Sequence, residues 1–239
     1  MPAPPLAGVV LISDDLGQGY AHGDLFGALA YFPSTQPAAD CAPTALSEEC
    51  TLVPACVPAP GAPAGDIDVT GLTIPLHLTP IENGMYAGPG TIVQPSPLVA
   101  DQLLRVRATG NEVPAFVGSV TTPDVALVTA PIVPMAGGRI AIAPSVPFTV
   151  AWQAPVAGDV GVRIHWATSR LDCVFPRSEG VSVSIPPHVL VALPKGPTTV
   201  RIDSSQTTRV SSPPYSVTLE VRRGGEANGL PAIIPATIE

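Results

Sequence analysis

Lysine occurs once in this chain of 239 residues, at Lys195, and only 13% of the residues carry charge. A surface so poor in charge must be covered mainly by Thr, Ser, Pro, Ala, Gln and Gly, which suits an extracellular wall or matrix better than the cytosol. The 11 basic residues are outnumbered by 19 acidic ones, for a net charge of −8, and the arginines are dispersed. The field of the protein therefore opposes a phosphate backbone and excludes nucleic acid as a partner. No apolar run approaches the roughly 18–20 residues that cross a bilayer, so no transmembrane segment is expected. The apolar run 6–12 is too short, and lacks the basic flank, to be a signal peptide. The chain is expected to begin as a mature exported domain would, without a lipobox.

Catalytic signatures are also missing. The histidines at 22, 77, 165 and 188 are scattered and form no His-Glu-x-x-His, and a metal site needs three or four converging ligands with an oriented outer shell. There is no Gly-x-Ser-x-Gly elbow and no glycine loop that could cradle phosphate ahead of a helix. Asp14 and Asp15 lack the alternating oxygens of a calcium loop and read as a solvated turn. Most acids, among them Glu48, Glu49, Glu112, Glu179 and Asp203, fall in expected turns rather than facing one another across a cleft. No metal, cofactor or catalytic residue is expected.

What is present is alternation. Proline and glycine, 31 and 22 residues, together fall short of the roughly 25–30% typical of a disordered chain, and 46% of the residues are hydrophobic, enough for a core. Phe148, Val150 and Trp152 alternate with Thr149 and Ala151. Val160, Val162, Ile164 and Trp166 alternate with Gly161, Arg163 and His165. This is the period of a half-buried strand, and the Pro155 and Gly158 between the runs predict a hairpin of 146–153 with 159–167. Both tryptophans share the apolar phase and are expected in the core, whereas His77 and His165 fall on the opposite phase and are expected to face solvent. Further strands are expected at 6–12, 25–32, 66–70, 72–78, 103–108, 113–120, 171–175, 181–185, 198–202 and 216–221, with a short helix opened by Pro187. In 103–108, Arg105 and Arg107 point the same way, to water, as ordinary surface charges. An anion site would need a third donor converging on them.

The fold class that follows is all-β, an antiparallel β-sandwich with two sandwich-like domains, although one large sandwich fits the pattern as well. The prolines at 123, 131 and 134 with Gly137-Gly138 place the boundary near 130–136. That gives an N-terminal sandwich-like domain at 1–130 with a cysteine-rich loop, an immunoglobulin-like sandwich at 136–223, and a loose tail or docked edge strand at 224–239.

Cys41, Cys50 and Cys56 crowd into the irregular segment 34–65 while Cys173 lies far along the chain, so a complete pairing must join Cys173 to the cluster. Cys-x₈-Cys-x₅-Cys lacks the close spacing usual in structural zinc sites, which favours disulfides. Of the three possible pairings, closure of a short loop favours Cys41–Cys50 with Cys56–Cys173. The cysteine cluster, Ala64-Gly65-Asp66-Ile67, Ala108-Thr109-Gly110-Asn111-Glu112-Val113-Pro114-Ala115-Phe116, Phe148-Thr-Val-Ala-Trp152 and Cys173-Val-Phe175 follow one another in an order that resembles a group of secreted or lipid-anchored β-rich envelope proteins common in myxobacteria. The resemblance spans roughly residues 8–222. It implies an extracytoplasmic location and disulfides, and it implies no reaction.

The expected function is accordingly a non-enzymatic secreted or cell-envelope protein with a structural, adhesive or binding role, whose candidate partners are an envelope protein or a polysaccharide. A carbohydrate-binding module is the first alternative and would set Tyr20, Tyr86 or Tyr215 side by side on the surface to stack on sugar rings. A hydrolase is the second, and would bring His22 and Asp24 to a nucleophile such as Ser13.

Overall fold

The computed structural model describes residues 5–14, 25–36, 38, 41–56, 59–88, 91–92, 96–132, 138–153, 157–166, 169–176, 180–227 and 230–239. In chain order its first strands are β1 (Leu6–Ser13), β2 (Leu25–Tyr31), β3 (Thr44–Ala45), β4 (Cys50–Pro54), β5 (Ile67–Thr70), β6 (Leu76–Leu78) and β7 (Tyr86–Ala87). Next come β8 (Thr91–Ile92), β9 (Leu103–Ala108), β10 (Phe116–Thr121), β11 (Val128–Ala130), β12 (Ile140–Ile142), β13 (Phe148–Trp152) and β14 (Asp159–Trp166). The last are β15 (Ser169–Phe175), β16 (Ser182–Ile185), β17 (Gly196–Ser212), β18 (Tyr215–Gly224), β19 (Glu226–Ala227), β20 (Leu230–Pro231) and β21 (Ile233–Ile238), with helix α1 (Pro187–Leu190) before β17. The fold is all-β and sandwich-like, as the alternation requires. Pro187 does open α1, where its missing N–H costs no helical bond.

Two compact units share the chain. The first takes Met1–Pro37, Val57–Pro123 and Ser205–Arg223. One of its layers holds β18, β1 and β2, with β7 and β8 on β2. The other is an antiparallel sheet in the order β10-β9-β5-β6. Their inward residues form one core, with Val10, Ile12, Ala28, Val217 and Leu219 from the first layer and Ile67, Val69, Leu104, Val106 and Val120 from the second. Phe32, with no exposed surface, sits among Tyr86, Phe116 and Tyr215 at centroid distances of 6.1, 5.9 and 6.4 Å. Edge and tilted contacts of that kind are favourable for rings carrying opposed face and rim charge.

The second unit takes Ala38–Cys56, Asp124–Ser204 and Gly224–Glu239. One layer is β11-β13-β16 and the other contains β3-β4-β15-β14-β17, with β21 on β17 and β12 on β21. Val150, Trp152, Val183 and Ile185 from the first layer meet Val162, Ile164, Leu171, Val200 and Ile234 from the second in a single core.

Several expectations are corrected. The runs 146–153 and 159–167 are not a hairpin: β13 pairs with β11 and β16, whereas β14 pairs with β15 and lies in the other layer. Two strands facing each other across a core bury the same alternating phase as two strands side by side, so periodicity cannot separate the cases. The contiguous division 1–130, 136–223 and 224–239 is not the observed one, and its boundary falls largely on 133–137, outside the described residues. β17 gives its first nine residues to the second unit and the rest to the first. β4 and β21 enter the second unit from outside the expected immunoglobulin-like range. Of the two readings of 224–239, the docked strand holds and the loose tail does not, and β21 pairs with both β17 and β12 rather than standing at an edge. The sheets are not wholly antiparallel either, because β1–β18 and β12–β21 run parallel. Proline and glycine mark where an element stops, and they carry no information about which distant strand it will join.

The four cysteines form two disulfides, both in the second unit, but in the pairing Cys41–Cys56 and Cys50–Cys173. Short-loop closure is overridden by register. β4 aligns on β15 with Cys50 directly opposite Cys173, at a Cα separation of 4.0 Å. Cys41 is left to Cys56, 5.7 Å away, around the β3–β4 hairpin.

Candidate binding face

The sheet β10-β9-β5-β6 of the first unit turns one face to its core and the other to water. β9 shows why: Leu104, Val106 and Ala108 are buried while Leu103, Arg105 and Arg107 are exposed, as successive side chains on a strand must be. β5 and β6 are folded back on each other after Gly71, whose φ of 97° lies in the left-handed region. A Cβ there would also run into the Leu103 carbonyl, so only glycine serves. The resulting register sets Asp68 opposite His77 on one side and opposite Arg107 on the other. The next outward row places Thr70 against Arg105 and Arg105 against Ser119.

The outward side chains enclose a shallow depression of about 620 Å³ lined by Asp68, Thr70, His77, Arg105, Arg107 and Val117. Nδ1 of His77 lies 2.7 Å from Oδ1 of Asp68, and both side chains are about half exposed. That hydrogen bond raises the imidazole above its ordinary value against a lowering by desolvation, and the charges of Asp68 and Asp66 add smaller increases. Arg163, Arg170, Arg222 and Arg223 each lie within 4 Å of a carboxylate. Arg105 and Arg107 have neither an ion pair nor a hydrogen bond among the described residues. They are surface charges, as expected, and the structure adds His77 and Thr70 to the same depression.

The residues suggested for sugar stacking are not brought together. Tyr86 and Tyr215 are buried, at 1% and 5% exposure, and their hydroxyls are used internally. Tyr86 accepts the Ala64 N–H at 2.6 Å and donates to the Gly65 carbonyl at 2.8 Å, while Tyr215 donates to the Pro33 carbonyl at 3.2 Å. Burial raises both phenols above the usual value. Tyr20, and the His22 and Asp24 of the hydrolase alternative, lie outside the described residues, and Ser13 is buried. Asp14 is not a solvated turn residue. It is buried, accepts a hydrogen bond from Ser96 Oγ at 2.7 Å and lies 3.6 Å from Arg223 Nε, because β18 lies parallel beside β1 and carries the arginine past it.

The second unit holds a different polar cluster. Arg163, on the outward phase of β14, is buried and ion-paired with buried Asp203, and its Nε lies 3.9 Å from Asp172. Gly161 makes the room, since a Cβ there would stand 2.5 Å from Arg163 Nη1 and 2.6 Å from Asp203 Oδ1. His165 is not solvent-facing. Burial, followed by the charge of Arg201, holds its imidazole down to about 4, and its carbonyl accepts from Thr198 Oγ1 at 2.6 Å. Trp152 is buried at 4% exposure, whereas Trp166 is only partly buried against the same core. Among the described residues, no three His, Cys, Asp or Glu side chains gather as metal ligands would, and no helix is long and apolar enough to cross a membrane.

Sequence reasoning noticed Arg105 and Arg107 but missed the Asp68–His77 pair and the burial of Arg163. Asp68 and His77 do share the outward phase of consecutive strands, and that was the available signal.

No family model matches the chain, and no curated protein matches it. Among solved structures it is similar to a 1.5-MDa bacterial ice-binding adhesin described for host cell surface retention, at 11% identity and a TM-score of 0.23. It is likewise similar to a Ca²⁺-stabilized adhesin that helps an Antarctic bacterium reach out and bind ice, at 14% identity and a TM-score of 0.24. The similarity covers 93% and 94% of this chain but only 65% and 50% of those chains. Likeness at that score decides nothing about this protein.

Proposed function

We propose that this chain is a non-enzymatic extracytoplasmic protein that binds an envelope or matrix partner through the outer face of its β10-β9-β5-β6 sheet. The observation that carries this reading is the pair of exposed, unpaired arginines on that face, beside His77 and Thr70 in one depression. Charge without an internal partner, mounted on a ladder whose backbone is held by its neighbours, is available for recognition with no backbone ordering, at the side-chain entropy cost of fixing two arginines. The groups with perturbed titration elsewhere support the same view, since the Tyr86 and Tyr215 hydroxyls are tied into internal hydrogen bonds and the His165 imidazole is shifted by burial. Location outside the cytosol is supported by the closure of all four cysteines in disulfides. Kinship with the myxobacterial envelope group, and an immunoglobulin-like character for the unit around β13 to β17, belong to the same proposal.

The test is retention of the pure protein on cell-envelope material from the producing organism, compared with the Arg105→Gln/Arg107→Gln variant. Retention of wild type and loss in the variant is the expected result. Equal retention of both would refute the assignment of the face.

A further inference from the structure

We infer that the partner of this face is an acidic polysaccharide whose uronate carboxylates are held by Arg105 and Arg107 and whose hydroxyl groups meet Thr70 and Ser119. The inference rests on the proposed function and names its ligand. Arginine presents a planar fork of donors that matches a carboxylate in two parallel hydrogen bonds, and both forks are uncommitted here. They sit two residues apart on one strand, so their roots are separated by about 6.5–7 Å. Two long side chains rooted there can converge on one small anion or take two separate acids, and a polymer with an acid on successive units can use either arrangement.

The rest of the face fits sugar chemistry. Arg105 is flanked across the ladder by Thr70 and Ser119, whose hydroxyls both donate and accept. The exposed aliphatic groups of Leu103 and Val117, 64% and 48% accessible, border the arginines and offer C–H surface to the apolar side of a pyranose. Asp68, the acid that would repel a uronate, has one oxygen engaged by His77.

Other polyanions fit less well. The net charge of −8 opposes every polyanion at long range, so short-range contacts decide, and two arginines fall short of the basic clusters of about 4–8 residues that hold proteins to anionic membranes and of the roughly 6–10 phosphate contacts made on duplex nucleic acid. An acidic peptide lying over the arginines could not add as a strand there, because β9 and β5 are bonded on both sides, and would have only its side chains to offer.

The experiment is equilibrium binding of the full chain to polygalacturonate, with dextran, polyglutamate and phosphatidylserine-containing vesicles as competing arms. Arg105→Gln/Arg107→Gln is compared with wild type, and exposed Arg209→Gln, outside this sheet, serves as the control for loss of one positive charge elsewhere. All three are surface changes, and melting curves check that the variants remain folded. Polygalacturonate should bind in a salt-sensitive way, the double variant should bind about tenfold or more weakly, and the Arg209 variant should match wild type to within the effect of one remote charge. No binding to polygalacturonate, equal binding to dextran, stronger binding to polyglutamate or to vesicles, or an unaffected double variant would each overturn the inference. Failure here together with retention on envelope material through the two arginines overturns only the ligand class; failure of both removes the binding face as well.

Discussion

Reduction of the two disulfides should have unequal consequences, and the inequality can be worked from the chain. Cys50 and Cys173 are separated by 123 residues and Cys41 and Cys56 by 15. Cross-linking restricts the unfolded ensemble in proportion to the logarithm of the loop closed, which gives about 5 kcal/mol for the first and about 3 kcal/mol for the second. Cys50 and Cys173 are also fully buried, so Cys50→Ala/Cys173→Ala opens a void that adds to the loss, whereas Cys41 and Cys56 are at least partly exposed and leave little. Both tryptophans, Trp152 and Trp166, lie in the disulfide-bearing unit, so urea titration followed by tryptophan fluorescence reports its stability. With an m-value of about 3 kcal/mol/M, a loss of about 5 kcal/mol lowers the midpoint by roughly 1.7 M and a loss of about 3 kcal/mol by roughly 1 M. A Cys41→Ala/Cys56→Ala variant hit harder than Cys50→Ala/Cys173→Ala would refute the reasoning. So would peptide mapping of unreduced protein that recovers Cys41 joined to Cys50.

Three further outcomes are expected. Asp203→Asn leaves buried Arg163 with the more distant Asp172 and should cost up to about 3–5 kcal/mol, while the paired change Arg163→Met/Asp203→Leu should recover much of that loss, both read by urea unfolding. Tyr86→Phe removes the acceptor of the buried Ala64 N–H and should cost about 1–3 kcal/mol, seen as faster amide exchange at Ala64 and a lower melting temperature. His165 has its pKa depressed to about 4, so the unfolded chain takes up its proton first as the pH falls; the contribution of this group is complete above about 6.5 and is lost between there and about 4. A His165→Gln variant should therefore show a shallower loss of stability than wild type over that window, and an unchanged slope would contradict the burial of the imidazole.

The sandwich layers were legible wherever alternation was strong. β9 was expected at the residues where it forms, with Arg105 and Arg107 outward, because a strand has only two faces and its sequence labels them. The same signal failed at β13 and β14, where two correctly phased strands were joined into a hairpin that does not exist. It failed again at Asp14, whose partly buried partner Arg223 arrives on a strand more than two hundred residues later. Tyr86 and Tyr215 looked like loop aromatics because the strands that carry them begin at those residues.

Of the candidate face, the two arginines could be read from β9 alone. Asp68 and His77 required the register of β5 on β6, which depends on how the loop through Gly71 closes, and Thr70 and Ser119 required β9 to lie between β5 and β10.

By itself, then, the sequence determined the period of the strands, the inward and outward phase of most of them, and the availability of four cysteines for oxidation. These are local properties, set by side-chain volume and polarity along a backbone that alternates every residue. Only the tertiary structure decided which strands pair, which layer each joins, and therefore that Cys50 meets Cys173, that Arg163 meets Asp203, and that Arg105 and Arg107 share a depression with His77. The reason is that an alternating strand states which face must be buried but is almost indifferent to which other apolar face buries it. That choice is made by the packing of the whole core, through contacts between residues remote in the chain.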